Sequence, residues 1–583
     1  MPIHDSWILA GATPDNPRIP VAHPALQAIF VRRGVTSEDE FRRFVAPSVG
    51  DLHDPSTIHG MPEACERIER AVRDGETILI YGDYDVDGVT SIVLLQTVLR
   101  MLGADVSFVV PHRLVDGYGL KTEVLDRVLV EKQIKLVITV DCGITSVAPV
   151  RRAIEQGIDV IITDHHLPPG VLPDAAAVLN PKQPGCAYPF KELAGVGVAF
   201  KLCCELIRRA GKNISTESLL KIAAIGTVAD VAPLIGENRT IAWLGLNGLA
   251  DPRNRGLRAL IRRLGMLGRP LRAVDIGFRI GPRINAAGRL ASAETAIDLF
   301  AAENDEIAWQ LCAELDRMNA ERQSVELEVR TDAEKQVAEL LGCSVAGNKG
   351  EQPSNAATKQ PSNPPRALIL AGNNWHKGVI GLAAGRIAQK YHRPTLVISI
   401  DGDEAVGSAR SIPTVDLHSQ LESVADVFAH FGGHEFACGF SLEARRIPEL
   451  RRRLGERFDQ LDPALFRREA RVDARLTLSE VDRGFVDAHE LLQPFGAGNP
   501  QPLFLAENIR VTARRGFGED CAELTLEDAT GRASAVLWPS ARELEDTLAS
   551  GGRSDVLFHL EPDTYAAAGA RLTLVDARNS TDQ

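Results

Sequence analysis

From residue 77 onward, short β-branched runs alternate with longer amphipathic stretches, the pattern of a parallel sheet with crossover helices. The runs occupy 77–80, 106–110, 136–140, 160–163 and 176–179. They are apolar almost throughout, which predicts a sheet covered on both faces. Ahead of them, Leu26, Ile29, Phe30 and Val31, followed by Phe41 and Phe44, predict a small helical preface to the main domain. Segment 304–342 combines helical spacing, abundant charge, no proline and a closing Gly342, which predicts a long helix bridging two domains. The polar stretch AGNKGEQPSNAATKQPSNPP has no periodicity and reads as a disordered insertion. A second α/β unit begins at 367–370 and continues through 396–400 to about residue 460. Beyond it, the runs 509–511, 522–526, 533–537 and 556–560, separated by Gly and Asp turns, suit a small OB-like β-barrel.

The class is therefore α/β, with six expected segments. A helical segment (1–50) precedes a parallel-sheet domain (51–303), a linking helix (304–345) and the insertion (346–365). A smaller α/β domain (366–462) and a β-barrel domain (463–583) complete the chain. No solenoid-length repeat is present. Apolar residues make up 44% and charged residues 25% of 583 positions, which excludes global disorder. A formal net charge of -13 argues against a general basic coat, so any polyanion site must be a local groove. Nine scattered cysteines without a CxxC pair favour reduced thiols over a zinc ribbon or a disulfide scaffold. The N-terminus lacks a basic segment followed by an apolar core, and no stretch is apolar enough to span a bilayer. A soluble, cytoplasmic protein is expected.

Candidate chemistry collects where apolar segments end. Ile80 leads into YGDYDVDG, Val140 into Asp141, Thr163 into Asp164-His165-His166, and the run LLKIAAIGTV into Ala229-Asp230. Ligands of open α/β sheets bind at the carboxyl edge of the strands, so groups far apart in sequence can converge there. Several carboxylates sharing one pocket need a compensating cation. Oxygen ligands with one or two imidazoles suit Mn²⁺ or Mg²⁺ better than zinc, and Asp141 could bridge two ions. Such a pair would activate water and stabilise the departing oxygen of a phosphoester. Each group alone has a blander reading: the DxDxDG run as a Ca²⁺ loop or solvated turn, Asp-His-His as a surface loop, and Asp141 or Asp230 as helix caps. All four within one domain are hard to obtain from packing alone.

These motifs resemble a known family. GDYDVDG, VDCGIT, DHH and GTVADVAPL are similar to the four motifs of the DHH phosphoesterases, and GGHEFACG to the glycine-rich motif of their DHHA1 domain. RINAAGRL, the long linking segment and PFGAGNPQPLF ahead of a β module narrow the resemblance to the RecJ family of single-strand-specific 5′ to 3′ exonucleases. The resemblance covers roughly residues 50–540 and implies a DHH domain joined by a long helix to a DHHA1 domain, then an OB-like barrel. It implies two Mn²⁺ or Mg²⁺ ions held by Asp83, Asp85, Asp87, Asp141, His165 and Asp230. His166 would face the scissile phosphate as electrostatic partner or proton donor, with Asp164 orienting the imidazoles.

A strand-degrading enzyme must also hold a phosphodiester chain and its 5′ end, which calls for Arg forks and backbone N–H groups. Arg113, Asn285, Arg289, Ser408 and Arg410 are the candidates, joined by Gly433 and His434 of the glycine-rich motif. Singly, such arginines are more often surface ion-pair residues. His376 and Lys377 are candidates for lining the same cleft. Arg510, Arg514, Arg515 and Phe517 are candidate strand contacts in the β module. Single-stranded DNA with a 5′ end is the implied substrate, with a single-strand-binding protein and a helicase as candidate partners, no membrane association and a monomeric state. The competing readings are a DHH phosphodiesterase for short oligoribonucleotides or cyclic dinucleotides, and a noncatalytic single-strand-binding scaffold.

Overall fold

The computed structural model describes residues 3–11, 18–113, 115–131, 133–290, 292–342, 364–517, 521–549, 552–563 and 569–580. The expected insertion lies outside them, apart from its last two positions. Two compact units emerge: residues 1–316 with 469–583, and residues 317–468. The division falls inside one unbroken helix, Asp305–Leu340.

The first unit is built on a five-stranded, all-parallel sheet. Its spatial order is Asp105–Val109, Thr77–Gly82, Ile134–Val140, Asp159–Thr163, Ala177–Leu179. Ile78, Leu79, Ile80, Leu136, Val137, Ile138, Val160 and Ile161 are fully buried, as apolar strands covered on both faces require. Each contributes about 1.5–3 kcal/mol of apolar burial. The helix Val86–Leu102 follows the first of these strands and is buried along most of its length, so the DVDG turn ahead of it is fixed by core packing.

The C-terminal module closes into a barrel. Phe504–Phe517 pairs with both Cys521–Glu527 and Ser554–Pro562, and Arg532–Leu537 with Ala570–Asn579 completes the ring. The last of these strands escapes the sequence reading because Asp576 interrupts its apolar pattern. That carboxylate is fully buried and accepts from the backbone N–H groups of Ile3 and His4 and from the Trp7 indole.

The N-terminal segment departs from its expected place and character. It includes a strand, Ser6–Leu9, parallel to Glu469–Val472. Its helices, Pro24–Arg32 and Glu38–Val45, share a core with the barrel, where Leu26, Ile29 and Phe30 join Phe485, Phe504 and Phe558. The preface to the parallel sheet is thus packed on the far end of the chain. The second helix starts with a capping box between Ser37 and Glu40.

Arg239 ties these parts together. It is 4% exposed, its guanidinium lies 3.4 Å from the centre of the Phe44 ring, and it donates to the carbonyls of Phe44, Leu491, Leu492 and Gln493. One side chain on the helix Gly236–Gly248 therefore grips the helical preface and the segment leading into the barrel.

In the second unit, a five-stranded sheet runs in the order His430–His434, Ala437–Glu443, Glu404–Arg410, Thr395–Asp401, Leu368–Asn373. Only the last pair is parallel. Helices cover both faces: Ala383 and Ile387 pack on Leu368 and Leu370, and Leu450, Leu454 and Phe458 on Leu396 and Ile398. Among the described residues, all eight cysteines are free, and no helix is long and apolar enough to cross a membrane.

Truncating Arg239 leaves four carbonyls without their donor. Arg239→Ala is expected to cost about 3 kcal/mol in chemical denaturation. A loss under about 0.5 kcal/mol, the range of an ordinary surface substitution, would contradict the gripping role.

Candidate metal centre

The expected acidic residues converge at the carboxyl edge of the parallel sheet. Asp83 follows the strand Thr77–Gly82, Asp141 follows Ile134–Val140 in a left-handed conformation (φ 59°), and Asp164 and His165 follow Asp159–Thr163. Asp230 ends the helix Glu217–Ala229.

Three overlapping groups can hold a cation: Asp83, Asp85 and Asp141; Asp87, His165 and Asp230; and Asp141, His165 and His166. Within each, the candidate ligand atoms lie within 4.8 Å of one another. Asp141 and His165 each belong to two of the groups. The His165 Nε2 is 3.2 Å from Asp141 Oδ1, and 3.9 Å from both Asp87 Oδ2 and Asp230 Oδ2. Asp83 Oδ1, Asp141 Oδ1 and His165 Nε2 are buried without hydrogen-bond partners. Orphaned acceptors of this kind are costly unless a cation meets them. An oxygen-dominated set with neutral imidazole fits Mn²⁺ or Mg²⁺.

The electrostatics agree. Burial, then Asp85, pushes the Asp87 carboxyl up to about 7. Burial, then Asp87 and Asp85, pushes Asp230 up to about 9. Asp83 and Asp141 also lie well above the ordinary carboxylate range, through burial and neighbouring carboxylates. Burial, then His166, pushes His165 down to about 3, leaving a neutral ring with an available lone pair. Each shift is what crowded ligands show before a divalent charge offsets them.

Backbone groups share the load. Asp85 is the residue that caps a helix, its Oδ1 accepting from the N–H groups of Asp87 (2.9 Å) and Gly88 (3.1 Å). Asp87 accepts from Gly195 and Val196, both at 2.7 Å, at the N-terminus of the helix Gly195–Arg209. A side chain at Gly195 would bring Cβ to 2.7 Å from Asp141 Oδ1 and 2.9 Å from Asp87 Oδ2. Asp164 accepts from Ile144 N–H (2.9 Å) and from the ring of His166 (2.7 Å), but touches His165 only through its backbone N–H. It therefore orients one of the two imidazoles. Burial alone would lower His166, yet the Asp164 carboxylate prevails and raises it.

Two neighbours escape the sequence reading. Gly195 acts through an N–H, which has no letter of its own, and the signal was a glycine-rich turn ahead of an apolar helix. Tyr118 donates to the Asp141 carbonyl (3.2 Å), and its hydroxyl lies 3.2 Å from His166 Nδ1. It stands between Gly117 and Gly119, both at positive φ, a Gly-Tyr-Gly turn that could have marked it.

The expected phosphate-holding residues fall in two places. Arg113 lies 4.8 Å over the Tyr84 ring, and Gly288 packs so closely on Tyr84 that a Cβ would meet its carbonyl oxygen at 2.5 Å. Burial, then Asp83, pushes the Tyr84 phenol up to about 12, and the charges of Arg113 and Arg289 oppose the shift. Asn285 is half-buried one helical turn before Arg289. In the second unit, Arg410 donates to Ser408 Oγ at 3.0 Å, and both lie against Gly381 near the start of the helix Ile380–Tyr391. Strand register sets His434 across Ala437 from Arg410, so Ser408, Arg410 and His434 share one sheet face. Gly433, at φ 143°, has no room for a Cβ against the Ala437 carbonyl. In the barrel, Arg510, Arg514, Arg515 and Phe517 are exposed, with Arg514 paired to Glu545 at 2.6 Å.

Family models match in chain order: the DHH family N-terminal domain over residues 77–227, the DHHA1 domain over 365–460, and the RecJ OB domain over 472–570. The single-stranded-DNA-specific exonuclease RecJ of Salmonella typhimurium is 36% identical over 526 residues, covering 87% of each chain. The chain belongs to the RecJ family. The Escherichia coli RecJ is 34% identical, over 88% of this chain and 90% of its own. With the Bacillus subtilis RecJ, 36% identical, the match takes in 92% of this chain but spans only 65% of that relative's length. A crystal structure of Thermus thermophilus RecJ in complex with Mn²⁺ matches with a TM-score of 0.81 at 29% identity, over 99% of this chain and 80% of that one. Its complex with Mg²⁺ matches with a TM-score of 0.74 at 26% identity. RecJ structures thus carry the two ions that the donor set here fits.

Two expectations follow. The folded Asp87 value of about 7 lies above the ordinary 3.8, so between them the metal-free fold holds more protons than the unfolded chain and loses stability as pH rises. Mn²⁺ should therefore raise the melting temperature most above pH ~7; equal melting with ion and with chelator there would contradict the site. Gly195→Ala should weaken Mn²⁺ binding in calorimetry by about 10–100-fold with the helix intact, and unchanged affinity would exclude crowding at the ligands.

Proposed function

We infer that this chain is a divalent-metal-dependent exonuclease that hydrolyses single-stranded DNA from its 5′ end. The carrying observation is the trio of ligand groups at one sheet edge, linked to one another through Asp141 and His165. Membership of the RecJ family, whose relatives carry that activity in their names, supports the choice of substrate. The OB module favours a polymeric strand over a short oligoribonucleotide or cyclic dinucleotide, since such barrels track single strands. The intact ligand set argues against a noncatalytic scaffold.

Held by Asp83, Asp85, Asp87, Asp141, His165 and Asp230, Mn²⁺ or Mg²⁺ would supply Lewis acidity toward the phosphodiester and its attacking water. The remaining work belongs to side chains. Asp164 fixes the His166 ring by its Nδ1 contact, so a protonated His166 can hold or deliver a proton at the leaving oxygen. Arg113 and Arg289, beside Tyr84, are suited to grip phosphate oxygens close to the reacting bond. Ser408, Arg410, Gly433 and His434 form a second anion-binding face, which we assign to the 5′ phosphate. We take the working unit to be a cytoplasmic monomer, supplied with strand by a helicase and a single-strand-binding protein.

Asp141→Ala is expected to abolish hydrolysis while sparing most strand binding, and unchanged turnover of the purified variant would overturn the mechanism. Arg410→Ala should weaken binding of 5′-phosphorylated strands by about tenfold and that of 5′-hydroxyl strands far less, in a salt-dependent manner. Equal loss on both would contradict end reading. A digestion ladder of 5′- and 3′-labelled DNA and RNA, single and double stranded, with Mn²⁺, Mg²⁺ or chelator, tests polarity, sugar and ion together.

A further inference from the structure

The helical stretch that brings Arg289 beside Tyr84 starts at Ala273. It runs through Ala273–Asp275, a π-helical turn at Ile276–Ile280, and Gly281–Leu290. π-Turns within helices recur at functional sites. This one carries Phe278, which is 78% exposed, close to the 55% exposed Val274.

Beside Phe278 lies a groove of about 290 Å³, lined in part by Val228, Val231, Val274, Phe278, Phe495 and Pro500. Asp230, a candidate ligand, sits in sequence between Val228 and Val231, two of the residues that line the groove. Phe495 and Pro500 belong to the PFGAGNPQPLF motif, whose glycines let it lie flat on the segment after Asp230. A Cβ at Gly496 would meet Leu234 at 2.7 Å, Gly498 has φ +70°, and Leu234 N–H donates to the Ala497 carbonyl at 2.6 Å.

The stretch of chain that carries Phe278 has a charge opposite to that of the whole, and Arg279, next to Phe278, shares the single carboxylate of Asp275 with Arg269. Residues 253–289 contain ten arginines and one acidic residue, Asp275, in a protein of net charge -13. Arginines also outnumber their ion-pair partners: Arg269 and Arg279 share Asp275, and Arg263 and Arg283 share Asp316. Exposed aromatic surface among cationic side chains is the combination that binds single strands without reading sequence.

We propose that this groove is a nucleobase subsite, in which Phe278 stacks on a base of the strand 3′ of the reacting bond while the neighbouring arginines offset its phosphates. The proposal rests on the reading of the chain as a single-strand exonuclease. Phe278 precedes Arg289 by roughly 16 Å of helix, which sets the contacted base a few nucleotides from the phosphate gripped near Tyr84.

The test is steady-state hydrolysis with Mn²⁺ of oligonucleotides carrying one abasic site, stepped a nucleotide at a time from the 5′ end. In the wild-type protein, one or two positions should raise KM by about tenfold. Phe278→Ala should raise KM by about tenfold on the intact strand, add no further penalty at those positions, and leave melting unchanged; Phe278→Trp should restore both. An active wild type without a position effect, or a Phe278→Ala variant that keeps it, overturns the subsite and leaves the patch to another partner. A wild type inert toward single strands overturns the exonuclease reading as well.

Discussion

Like charges held close together at the edge of a parallel sheet are the constraint from which the rest of the first unit follows. Asp83, Asp87 and Asp141 are almost wholly buried, and Asp230 faces the same imidazole as two of them. No protein fold tolerates this without donors or a cation. The chain supplies donors where it can: the amides of Gly195 and Val196 for Asp87, and those of Ile144 and of His165 and His166 for Asp164. What it leaves unmet, at Asp83, Asp141 and His165, defines the space that a divalent ion fills.

Holding such a site together takes rigid support, and much of that support comes from the two ends of the chain. Arg239 grips the carbonyls ahead of PFGAGNPQPLF, and Arg33 donates to the Pro500 carbonyl at 2.5 Å. That loop in turn accepts from Leu234, four residues after Asp230. The barrel and the N-terminal helices, which share a core, thus buttress the turn that carries a candidate ligand. The arrangement couples the OB module to the metal edge through packed backbone rather than through a flexible tether.

Much of this was legible in the sequence. Apolar runs that stop at Asp83, Asp141 and Asp164 announce both the parallel sheet and its chemistry, because strand ends and ligand positions coincide in open α/β sheets. Other features left no mark. The amide of Gly195 acts through backbone, and Tyr118 and Phe278 depend on turns whose geometry periodicity does not encode. The docking of Leu26, Ile29 and Phe30 on a barrel more than four hundred residues away is a long-range contact invisible to any local window. Asp230 shows the intermediate case: its position was evident, but only the fold sets it against His165, while Asp85 both caps a helix and belongs to a candidate ligand group.

These carboxylates and imidazoles are arranged to surround cations, and anomalous diffraction from crystals soaked in Mn²⁺ reports on that arrangement. Strong peaks are expected bounded by Asp141 and His165, with further ligands from Asp83, Asp87 and Asp230; a map without manganese between Asp141 and His165 would refute a metal-holding role for these residues.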